Sequence, residues 1–131
     1  MKRFVMLCCI LSVGLLWSGG RAQTNVNMGS QTTVTGCDIN IYDDGGPNGA
    51  YGSNHNYTLT IYPTANQGRV FLEINALDIH HNDTLFIYDG PTATGTPIAA
   101  LNDMTYNPVT NFNTYMASQS NTSGALTLRK W

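Results

Sequence analysis

Leu77-Asp78-Ile79-His80-His81-Asn82-Asp83-Thr84-Leu85-Phe86-Ile87-Tyr88-Asp89-Gly90 is the stretch whose reading decides the fold. Its first part, Asp78 to Asp83, is a polar loop that crowds two acids and two histidines into six residues. Thr84 to Tyr88 then alternates, with Thr84, Phe86 and Tyr88 on one face and Leu85 and Ile87 on the other, the period of a half-buried strand. Asp89-Gly90-Pro91 turns the chain, because glycine tolerates positive φ and proline fixes its own.

The same pattern of short strands and turn chemistry extends in both directions. Gln23 to Gln31 is polar, rich in Asn, Thr and Ser, and reads as a flexible leader that tightens into an edge strand at Thr32 to Thr35. Strands are expected at Ile39 to Tyr42, Tyr57 to Tyr62, Arg69 to Asn75, Ile98 to Leu101, Phe112 to Ala117 and Leu126 to Leu128. Asp43 to Ser53 is turn-forming almost throughout, and Asn66-Gln67-Gly68 and Ser118 to Gly124 are further turns. No stretch after Gln23 sustains a 3.6-residue period, and Gly, Asn and Thr oppose helix. A single all-β domain over residues 32–131, an antiparallel sandwich or barrel, is the expectation.

Residues 1–22 follow a different plan. Lys2 and Arg3 precede an apolar run, Phe4 to Trp17, which ends in Ser18-Gly19-Gly20-Arg21-Ala22. That is the layout of a secretory signal peptide cleaved after Ala22. The run of about 14 apolar residues is short for a ~30 Å hydrocarbon core, so membrane insertion is not expected. Cys8 and Cys9 follow no small residue that would mark a lipid-modified cysteine. Losing Lys2, Arg3 and Arg21 leaves three cations against eight acids, a net charge of −5. That sign disfavours nucleic acid and anionic membrane as partners and suits a secreted, extracytoplasmic protein. Cys37 is then the single remaining thiol, with no second cysteine to bond with.

In order, Cys37, Ile39 to Tyr42, the turn Asp43-Asp44-Gly45-Gly46-Pro47-Asn48-Gly49-Ala50-Tyr51, the strand Asn56 to Pro63, Gly68, Val70 to Ile74, the stretch Leu77 to Gly90, and Ser123-Gly124-Ala125-Leu126-Thr127-Leu128-Arg129 resemble the sequence of CUB domains of the bacterial secreted type. The resemblance spans about residues 30–131 and implies a CUB-like, jelly-roll-like antiparallel β-sandwich. Three departures accompany it. Tyr62 stands where the family often has the partner of its first cysteine, and His80 stands where it has a loop glutamate. The family's "SD-S" turn and last strand have no counterpart before Trp131, so the resemblance implies a sandwich missing its last strand.

Many CUB domains bind calcium, and of their ligands only Asp83 is matched here. Asp78, Asn82 and Asp44 are the oxygen donors that would have to complete a weak calcium-like site, since imidazole supplies no oxygen. His80, His81 and Asp83 have the donor types for zinc or copper, but neighbours on an extended loop point apart and no further cluster completes four ligands. The bland alternative is a solvated polar loop. No Gly-x-Ser-x-Gly, His-Glu-x-x-His or phosphate-cradling loop is present, and Cys37 as a nucleophile with a histidine base is weaker than Cys37 as a structural residue. No enzyme and no cofactor is therefore expected.

Tyr42, Tyr51, Tyr57, Tyr88, Tyr106 and Tyr115 are the better functional clue, because tyrosine brings area and a hydrogen bond to recognition surfaces at low entropy cost. The competing reading is strand propensity. The expectation is a secreted, non-catalytic binding module for a protein or glycan, acting through loops at one end of the sandwich, with Asp78, His80, His81, Asp83 and Tyr88 as the binding residues. Two alternatives are an accessory domain truncated from a secreted peptidase or multidomain adhesin, and a surface structural protein that self-associates. Homo-oligomers through an open sheet edge or through Cys37 belong to the last.

Overall fold

A computed structural model describes residues 4–6, 23–50, 52, 55–64, 68–77, 79, 82–102 and 113–131. Among the described residues there are ten strands and no helix. They are β1 (Phe4–Met6), β2 (Thr24–Asn27), β3 (Thr33–Thr35), β4 (Ile39–Tyr42), β5 (Tyr57–Tyr62), β6 (Phe71–Ile74), β7 (Leu85–Asp89), β8 (Ala99–Leu101), β9 (Asn113–Met116) and β10 (Leu126–Lys130).

The strands form two five-stranded sheets, ordered β2-β4-β1-β6-β9 and β3-β5-β10-β7-β8. The period-2 alternation read from the sequence decides which side chains meet between them. The first sheet contributes Val26, Ile39, Ile41, Leu72 and Ile74, and the second contributes Leu59, Ile61, Leu85, Ile87, Leu101, Leu126 and Leu128, to one buried cluster. The protein is an all-β sandwich. Most neighbours are antiparallel, but β2 runs parallel to β4 and β3 parallel to β5. The reason is topological: the chain crosses from the first sheet to the second twice in succession, through the turn after β2 and again through the turn after β4. The return crossing after β3 lays β4 alongside β2 in the same direction, and the crossing after β4 lays β5 alongside β3.

β10 is the centre of the second sheet. Leu128 stands opposite both Leu59 and Ile87, and Leu126 opposite Ile61 and Asp89. Both leucines are fully buried, which at ~25 cal/mol per Å² of apolar surface makes this strand a main source of the sheet's cohesion.

Two elements depart from the sequence reading. Thr24–Asn27, expected within a flexible leader, is a strand, because Val26 and Met28 enter the core at 5% and 4% exposure while Asn25 hydrogen-bonds Asn40 through their amides at 3.0 Å. The second is β1. Phe4–Met6 falls inside the expected signal peptide, yet its backbone pairs antiparallel with β4 on one side and β6 on the other, Val5 standing opposite Asn40 and Glu73.

Strand directions gather three groups at one end of the sandwich: the connection from Asp43 to Asn56, the connection from Asn75 to Thr84, and the C-terminal end of β10. Cys37, Thr64, Gly90 and Gly124 lie at the opposite end.

Candidate functional site: the loop end of the sandwich

Lys130 continues the inward alternation of Leu126 and Leu128, so its stem enters the sandwich where the hydrophobic core stops. Only 4% of the residue is exposed. An ammonium in that position is costly unless it is paired. Its Nζ donates to the Gly52 carbonyl oxygen at 2.9 Å and stands 3.6 Å from Oδ2 of Asp83. That Asp83 oxygen is buried and accepts no hydrogen bond, so the ion pair is its compensation.

Asp44 sits in the same corner. Its Oδ2 accepts from the Gly52 N–H at 3.0 Å and from Nδ1 of His55 at 3.0 Å. A carboxylate only accepts, so Nδ1 is the nitrogen of His55 that carries the hydrogen. The Tyr57 hydroxyl oxygen lies 2.8 Å from the same Nδ1, and the two rings meet edge to face at 5.3 Å. Burial works to raise the Asp44 pKa, but the hydrogen bonds from His55 and the Gly52 N–H, helped by the Lys130 charge, outweigh it and hold the carboxyl below its ordinary value. The Tyr57 hydroxyl is pushed up, by burial first and by the Asp44 charge second.

Gly52 is the hinge of this arrangement, since its N–H serves Asp44 while its carbonyl serves Lys130. A carboxylate, an imidazole, an ammonium and a second carboxylate are thereby joined through one backbone residue. On the outer face beside them, the Arg129 guanidinium lies 4.4 Å from the Trp131 ring, which remains 62% exposed. Backbone hydrogen bonds in both directions between Trp131 and Thr84 fix the base of that ring.

Of the residues expected at the site, Asp83 and Asp44 are brought to one corner. Asp78, His80 and His81 lie outside the described residues. Tyr88 is elsewhere: it is 8% exposed, its ring tilted against Phe86 with centroids 6.4 Å apart on the outer face of the second sheet. The turn after β7 folds over that face, where Thr127 donates to the Gly90 carbonyl at 2.8 Å and Thr60 to the Pro91 carbonyl at 3.3 Å. Cys37 is at the far end from His55, partly buried against the core with Sγ 2.8 Å from the Thr64 hydroxyl. The reading that joined a Cys37 nucleophile to a histidine base therefore does not assemble with His55.

The calcium reading meets a direct competitor. Calcium takes six to eight oxygens, whereas Asp83 faces the Lys130 ammonium and Asp44 is within its electrostatic reach. Among the described residues no three His, Cys, Asp or Glu side chains gather around a common point. Of the calcium-like donor set, Asp83 is thus engaged by the Lys130 ammonium, while Asp78 lies outside the described residues.

Sequence reasoning missed Lys130, His55, Gly52, Arg129 and Trp131. For Lys130 a signal existed: it occupies the inward position of an otherwise apolar alternation, where a charge needs a buried partner.

A pH dependence follows. The hydrogen bonds of Ser118 and Asn121 outweigh burial at Asp89, so its carboxyl, like that of Asp44, is held below the ordinary 3.8. A depressed folded-state pKa gives stability that is full above the unfolded value and is lost as pH falls through the folded one. Urea midpoints should therefore hold steady from neutral pH down to about 5, and fall once pH drops below the ordinary carboxylate range. Asp44→Asn should make that fall shallower, and an unchanged acid slope in the variant would contradict this account of Asp44.

Compared with known proteins, the chain matches no family model, no curated protein and no solved structure.

Proposed function

We propose that this chain is a secreted, non-catalytic binding module of the CUB type that holds a protein or a glycan at the loop end of its sandwich. The observation that carries the reading is Trp131, 62% exposed with Arg129 stacked on it. An aromatic face beside a guanidinium suits either the apolar face of a sugar or a protein side chain. The charges beneath are occupied with one another: Lys130 faces Asp83, and Asp44 is held by Gly52 and His55. The corner thus acts as a stiff base under an exposed aromatic surface, which is what a recognition surface with low ordering cost requires.

Glycan and protein arrays probed with the full chain test this. A ligand found there should bind Trp131→Ala at least about tenfold more weakly, the loss expected of an aromatic anchor. The melting temperature should stay within about 1–2 °C, as for a surface substitution. A ligand held equally by the wild type and Trp131→Ala would place the binding surface elsewhere.

A further inference from the structure

The order β2-β4-β1-β6-β9 puts the first strand of the chain in the middle of a sheet. Because β1 is antiparallel to both β4 and β6, those two run parallel to each other. Their outer edges are already taken, β4 by β2 and β6 by β9. Take β1 away and two strand edges face each other across about 9–10 Å, twice the ordinary spacing. The backbone lining this slot belongs to Ile39, Asn40 and Ile41 on one side and Leu72, Glu73 and Ile74 on the other. Buried backbone N–H and C=O groups must be paired, and a sheet centre offers water little access.

We propose that the slot between β4 and β6 is a strand-acceptor site, held in the full chain by Phe4–Met6 and filled, once that segment is displaced, by an extended segment of another polypeptide running antiparallel to both neighbours. Only a polypeptide strand presents donors and acceptors alternately along two opposite edges at the spacing the slot imposes. A sugar or an acyl chain does not. Closure by sliding β6 against β4 is opposed by the core. Ile39, Ile41, Leu72 and Ile74 are each no more than 2% exposed and face a second sheet that has its own central strand. A four-stranded first sheet would leave part of that second sheet uncovered.

The slot also has a natural occasion to open. The expected cleavage after Ala22 falls between β1 and β2, which begins at Thr24. It would detach β1 and leave the other strands intact. A tethered strand benefits from a high effective concentration, on the order of millimolar for short flexible links, and a severed three-residue strand loses that advantage. The proposal rests on the sheet order alone, and the cleavage would supply the trigger. It is independent of the loop-end surface, because β1 contacts neither Trp131 nor Lys130 through its pairing.

The test uses the full chain carrying Val5→Pro, which removes a backbone donor opposite Asn40 and Glu73. The probe is a fluorescent synthetic peptide of residues 2–7, and its control is the same peptide with proline at the valine position. The expected result is saturable binding to Val5→Pro, at least about tenfold tighter than to the wild type, whose own strand competes at high effective concentration. The control peptide should not bind. A folded Val5→Pro chain that ignores the peptide, or that binds both peptides alike, overturns the proposal. Should Val5→Pro not fold alone, refolding is repeated with the peptide present: recovery of the β-sheet circular dichroism spectrum supports the acceptor site, and failure to recover refutes it.

Discussion

Replacing Lys130 with methionine should destabilise the full chain by about 3 kcal/mol, the scale set by removing one partner of a buried ion pair. Methionine retains most of the stem, so the loss reports the charge and not the packing. Without the ammonium, Asp83 keeps a buried oxygen that accepts no hydrogen bond, and the Gly52 carbonyl loses the donor that reaches it at 2.9 Å. Adding Asp83→Asn should return part of the loss, because the second substitution removes the stranded charge. Urea unfolding of the two single variants and the double variant gives the coupling directly. A melting point lower by roughly 10 °C is expected for Lys130→Met in a domain of this size. Additive effects would mean that the pair, at 3.6 Å, does not interact energetically. Millimolar calcium should leave the melting temperature of the wild type where it was. A site filled at 100 times Kd would instead raise stability by about 2.7 kcal/mol.

At the opposite end of the sandwich, Gly124→Ala should cost a comparable amount. Gly124 has φ +63°, the left-handed region, and a Cβ there would collide with the Gly68 carbonyl oxygen. Left-handed strain contributes about 1–3 kcal/mol and overpacking about as much again. Neither is easily relieved, because the Gly124 carbonyl accepts from the Val70 N–H at 2.8 Å and the Val70 carbonyl accepts from Ala117 at 2.9 Å. Moving the glycine therefore disturbs the fully buried Val70. Chemical denaturation of Gly124→Ala beside Ser123→Ala separates the backbone effect from the loss of a turn hydroxyl. A Gly124→Ala chain as stable as the wild type would show that the turn relaxes freely.

The strands that alternate apolar and polar residues were legible in the sequence, because a period of two has one structural meaning when turn residues bound it. Leu85 to Asp89, Tyr57 to Tyr62 and Ile39 to Tyr42 are of this kind. β2 was hidden by its polar neighbours: Val26 and Met28 alternate, but Asn and Thr around them imitate a loop. β1 was hidden for the opposite reason. An unbroken apolar run has no alternation to read, so the features that mark a signal peptide conceal a strand within it.

The site was legible only in its acids. Asp44 and Asp83 stand in turn-rich segments where a carboxylate cluster is easily imagined, and both do converge. What faces them is a cation from the far end of the chain, and proximity between residues distant in sequence comes from strand order, which local patterning does not encode. Tyr88 shows the same limit. Its place on the face of β7 opposite Leu85 and Ile87 was legible, but the turn that covers that face depends on hydrogen bonds from Thr60 and Thr127 in two other strands.

The central position of β10 has a consequence for how the molecule is made. It joins β5 to β7, and nothing earlier in the chain substitutes for it in that sheet. Until Leu126 to Lys130 have been synthesised, β5 and β7 each have an edge without its neighbour, and Leu59, Ile61 and Ile87 have no strand between them to complete their layer. Such long-range pairing is slow to form. Completion of the second sheet therefore waits for the last described strand to arrive. The same delay exposes strand edges and apolar residues in the interval, when incomplete β chains are most prone to associate with one another.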